Sequence, residues 1–71
     1  MNKLPVYRAL RLARAQSDWR DAARLVSIRW EVFLHSEAQA RAFAFASYLS
    51  ALDAEETAAV RMSRLAPSAT G

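Results

Sequence analysis

The sequence predicts an all-α protein: a small bundle of three to four short helices, completed by a second chain. Three observations predict it. The interior is free of glycine and proline, with Gly71 as the last residue and the two prolines at positions 5 and 67. Ala, Leu, Arg and Glu, the residues a helix tolerates best, dominate what lies between. Apolar residues recur at three- and four-residue spacing along almost the whole chain.

Pro5 opens the first predicted helix, because a proline in the first turn gives up an N–H that has no helical partner. This helix runs to about Gln16 and offers a modest apolar face of Val6, Leu10 and Ala13. Ser17 and Asp18 then read as an N-cap pair, since their side-chain oxygens can accept from free N–H groups of a first turn. The second helix reads DWRDAARLVSIRWEVFLH. It is apolar on two sides. Trp19, Ala23, Val26, Trp30 and Phe33 line one face, and Leu25, Ile28 and Val32 line nearly the opposite one. Arg20, Arg24, Ser27, Glu31 and His35 occupy the wedge between them.

Ser36 followed by Gln39 reads as a capping box opening a third helix, EAQARAFAFASYLSAL. His35–Ser36 can equally be a kink in one longer helix, and so can Asp53. Within the third helix, RAFAFASYL alternates Phe with Ala as a strand would. Its alanine-rich flanks lack turn residues, and no other segment alternates to pair with it. As a helix, it places Phe45 in a stripe with Ala38, Ala42, Leu49 and Leu52, with Tyr48 at the edge. Phe43 then lies about 200° away, among Gln39, Ala40, Ala46, Ser47 and Ser50, all small but Gln39. A large ring among small residues resembles a knob beside a landing area. Asp53 and Glu56 start the fourth helix, AEETAAVRMSRLA, with Ala54, Ala58, Met62 and Leu65 on its apolar side. The expected organisation is a single helical domain over residues 1–66 and a flexible tail over 67–71.

Seventy-one residues bury too little surface for a large core. With no cysteine, neither a disulfide nor a thiolate metal site can add stability. The two doubly apolar helices present more apolar surface than so short a chain can cover, which is why a second chain is expected. The partner-facing residues are Phe43 first and Tyr48 second, with Ala40, Ser47, Leu25, Ile28 and Val32. Another copy and a different protein are equally consistent with this pattern.

The net charge is +3. Residues 1–35 carry seven basic and three acidic side chains, and residues 36–71 carry three basic and four acidic. Arg8, Arg11 and Arg14 form a helical stripe that can meet an anionic partner, either an acidic protein or the phosphates of a nucleic acid. Nucleic acid is the second reading. The helix over residues 37–52 is a poor base reader, with Arg41 its one basic residue and Gln39 its one amide. A basic first helix could also touch a membrane surface, but its apolar face is narrow.

No chemistry motif is present. There is no glycine-rich phosphate loop and no HExxH, and His35 is the single histidine. Ser27, Glu31 and His35 share a helix face at i, i+4 spacing, which reads as a solvated wedge and not as an oriented general base. No enzyme activity, cofactor or metal is expected. Trp19 and Trp30 read as core, not as a ligand-stacking pair. No apolar run approaches the roughly 18 residues of a membrane span. The N-terminus is Arg-bearing and acid-free but not serine-rich, so it reads as a helix and not as a transit peptide. A cytoplasmic location is the resulting expectation.

Overall fold

The computed structural model describes residues 4–66. They form two antiparallel α-helices in a hairpin, α1 (Leu4–Leu34) and α2 (Ala38–Leu65), with no strand among the described residues. The expected tail at 67–71 lies outside the described residues. The all-α class holds, but two long helices stand where three to four short ones were expected.

The two predicted interruptions at Ser17–Asp18 and Asp53 do not occur. Each Ser or Asp in a helix interior costs only about 0.5 kcal/mol relative to alanine. Packing outweighs that cost. Ala15 is buried and Trp19 half-buried on the two sides of the first site, and Ala51 and Ala58 flank the second in the same way. A break at either place would swing one member of each pair away from the opposite helix. Within α2 the Thr57 hydroxyl donates to the Asp53 carbonyl at 3.1 Å, so the local polar group is satisfied without ending the helix.

The chain does turn at His35–Glu37. The Ser36 amide bonds back to the Phe33 carbonyl at 3.2 Å, a tight three-residue closure. The Ser36 hydroxyl donates to the Val32 carbonyl at 2.6 Å, satisfying one of the free carbonyls that every helix end leaves. Arg41 reaches back to the Ser36 carbonyl at 3.4 Å. The expected capping box is therefore not formed. Ser36 caps the end of α1, while Glu37 is the N-cap of α2 and makes no side-chain capping bond.

Alanine lines the contact between the helices. Among the described residues, Ala15, Ala44 and Ala51 are the buried hydrophobic ones, and no large side chain is fully buried. Small residues on the contact line let the helix axes approach closely. Larger side chains flank it. Near the turn four rings close on one another: Trp30 on Tyr48 at 5.0 Å, Trp30 on Phe33 at 5.4 Å, Phe33 on Phe45 at 5.3 Å and Phe45 on Tyr48 at 6.1 Å between centroids. Trp19, Ala23, Val26 and Phe33 point inward as expected, each half-buried, but Trp30, expected in the core with them, is 39% exposed at the margin of the ring cluster. In the first half of α2 the inward face differs from expectation: it runs through Ala44, Tyr48 and Ala51, while Ala38, Ala42, Phe45 and Leu49 are exposed and Leu52 is half-buried. In the second half Ala58, Met62 and Leu65 are half-buried as expected, and Ala54 is exposed. Val6 and Leu10, expected to pack, are also exposed.

The Cα envelope measures 60 × 23 × 13 Å, with a radius of gyration of 16.6 Å, against about 11 Å for a compact chain of this length. The 13 Å dimension is a single layer of helix, so each broad face of the hairpin meets no second layer.

Candidate interaction face

One broad face gathers most of the residues expected to meet a partner. Leu25 and Arg29 of α1 line a groove together with Phe43, Ser47, Ser50 and Ala54 of α2. The antiparallel turn places the middle of α1 beside the first half of α2, so residues far apart in sequence share this groove. Phe43 stands 80% exposed at its edge. Among the described residues little covers the ring, and its neighbours on α2 are small apart from Gln39. Ile28 and Val32 follow Leu25 at i+3 and i+7 and extend the same side of α1. They are 49% and 53% exposed. Ala40 is exposed one turn before Phe43, and Ser47 is half-buried one turn after it.

Tyr48 does not join this face. It is half-buried, with its ring against Trp30 and Phe45. Its expected place at the edge of a partner surface is corrected to the seam between the helices. The reason is geometric: with Ala44 and Ala51 on the contact line, the residue midway between them at i+4 and i−3 must point the same way.

The arginine stripe lies at the open end of the hairpin. Arg8 and Arg11 border one cleft with Tyr7, Arg64 and Leu65. Arg11 and Arg14 border the next with Arg61 and Arg64, where Asp18, Asp53 and Glu56 also contribute. Arg61 and Arg64 were not among the expected anion-contacting residues. They arrive because α2 runs back along α1, and a tight turn at Ser36 was the signal that could have placed them. Among the described residues no arginine has a carboxylate within 4.0 Å, the one ion pair being Glu31–His35 at 3.8 Å.

That pair sits in the predicted polar wedge. His35 Nδ1 donates to the Glu31 backbone carbonyl at 2.9 Å, and both side chains are mostly exposed. Such a pair closes the last turn of a helix and leaves the ring facing water. Among the described residues no three His, Asp or Glu side chains are close enough to hold a metal ion. No described helix is long and apolar enough to cross a membrane. Comparison with family models, curated proteins and solved structures finds no match for this chain.

Proposed function

We propose that this protein is a non-catalytic protein–protein interaction module: a small accessory or regulatory subunit, or a self-associating helical protein, that docks through an apolar helix face. The observation that carries the reading is the exposure of Phe43 beside a groove of small residues, with Leu25, Ile28 and Val32 exposed on the adjoining helix. Burying a side chain of this kind stabilises an assembly by about 1.5–3 kcal/mol. Aromatic anchors beside shallow pockets carry much of the energy of helix-in-groove interfaces. A hairpin one layer thick also gains a second layer when another chain packs on it.

The test is the solution mass of the wild type and of Phe43→Ser, by light scattering after gel filtration, with helicity followed in parallel. The expected result is a wild-type assembly that the substitution dissociates without loss of helicity. A wild type that stays partly unfolded or aggregates alone supports a hetero-complex subunit. A stable wild-type monomer, indistinguishable from the mutant in helicity and stability, overturns the reading.

A second reading has its own observation. Arg8, Arg11 and Arg14 converge with Arg61 and Arg64 at the open end, a geometry that favours a polyanion such as nucleic acid. Binding to generic DNA that weakens steeply with added salt supports it. Absence of binding at low salt removes it.

A further inference from the structure

α1 carries a self-complementary pattern that exists only because the helix is unbroken. Tyr7, Leu10, Arg14, Asp21, Leu25 and Ile28 fall within about 60° of one another around its axis. All six are exposed: Tyr7 67%, Leu10 65%, Leu25 40% and Ile28 49% for the apolar members, with Arg14 and Asp21 open to solvent. Arg14 and Asp21 stand equally far from the midpoint between Ser17 and Asp18. So do Leu10 and Leu25, and so do Tyr7 and Ile28.

We propose that α1 pairs antiparallel with α1 of a second copy, about a two-fold axis that passes between Ser17 and Asp18. This deepens the reading of an apolar docking face and rests on it. In such a pair, residues equidistant from the axis face each other, and each contact is made twice. Leu10 meets the partner's Leu25, Tyr7 meets the partner's Ile28, and Arg14 meets the partner's Asp21. A parallel pair in register would set Arg14 against Arg14 and Asp21 against Asp21, which charge repulsion opposes. Asp18 borders the axis one turn from Arg14, which offsets the approach of the two Asp18 carboxylates.

The size is adequate. The seam from Tyr7 to Ile28 is about 32 Å long at the helical rise. The chain exposes 5981 Å², against about 4,400 Å² for a compact chain of its mass. The surplus reflects the elongated hairpin, and a stable interface needs roughly 800 Å² of it per partner. Leu25 belongs both to this seam and to the groove beside Phe43. A helix seated on the seam therefore borders Phe43.

The experiment compares the dimer dissociation constant of the wild type with those of Arg14→Asp, Asp21→Arg and the double variant. Each single reversal is expected to weaken the dimer by about tenfold or more, and the double reversal to restore it to within about threefold, as facing charge pairs do. Both positions are exposed, and circular dichroism verifies that helicity is retained. As a geometric check, the protein has no cysteine of its own. Leu10→Cys with Leu25→Cys should oxidise to a covalent dimer. Leu10→Cys alone should not, because its two copies would lie about 22 Å apart along the seam. An assembly indifferent to the reversals, or one that the double variant fails to rescue, overturns this pairing and leaves docking through the Phe43 face standing. A wild type monomeric at millimolar concentration overturns both.

Discussion

Trp30 and Tyr48 meet across the hairpin as a tilted ring pair, with centroids 5.0 Å apart and planes inclined by 48°, the contact that ties the last turns of α1 to the middle of α2. Among the described residues only alanines are buried, so this aromatic cluster supplies much of the larger apolar contact between the helices near the turn. Tyr48→Ala is expected to destabilise the fold by about 2–4 kcal/mol. That is most of what a domain this small has in reserve. Urea unfolding followed by far-ultraviolet circular dichroism measures it. A cost under about 0.5 kcal/mol would mean that the rings do not hold the helices together.

Ser17→Ala separates a continuous α1 from a capped break by the sign of its effect. At an N-cap, loss of the serine costs about 1 kcal/mol. In an exposed helix interior, alanine is the better residue and adds up to about 0.5 kcal/mol. The unbroken α1 predicts the gain. A loss would restore the interruption, and with it the third helix.

The turn makes a paired prediction. Ser36→Ala removes the hydroxyl that donates to the Val32 carbonyl and should cost about 1 kcal/mol. Gln39→Ala should leave stability nearly unchanged, because the capping box that would use it is not formed. Thermal melts of the two variants distinguish them. Equal losses would place Ser36 at the start of α2 and not at the end of α1.

His35→Ala should change helicity and stability only slightly, by about 0.3–0.5 kcal/mol, as expected of an exposed i, i+4 pair. A larger loss in the melting profile would show that the histidine holds the turn and not just the last turn of α1.

Much of the fold is legible from local pattern. The glycine- and proline-free interior restricts the chain to helix. Trp19, Val26 and Phe33 fall on one side by periodicity, and they do face α2. Leu25, Ile28 and Val32 form the second stripe, and Phe43 is separated from Phe45 by the same periodicity. These features depend on the rise and twist of one helix, which neighbouring residues dictate. Helix number is not legible in this way. Ser17, Asp18 and Asp53 are competent caps, but a cap is worth about 1 kcal/mol. Whether it acts depends on packing with residues thirty or more positions away.

The sequence by itself determined that this chain is helical and that it carries more apolar face than one helix pair can enclose, and it offered Ser36 as one of three candidate turns. Tertiary structure alone decided the rest. It set the alanine line of Ala44 and Ala51 on the contact between the helices, because small residues let them approach, and it left Leu49 exposed while Phe45 flanks that line against Phe33. It drew Tyr48 inward with that line. By running α2 back along α1, it set Arg61 and Arg64 beside Arg11 and Phe43 beside Leu25. Each of these outcomes is a contact between segments distant in sequence, and periodicity within one helix carries no information about its partner.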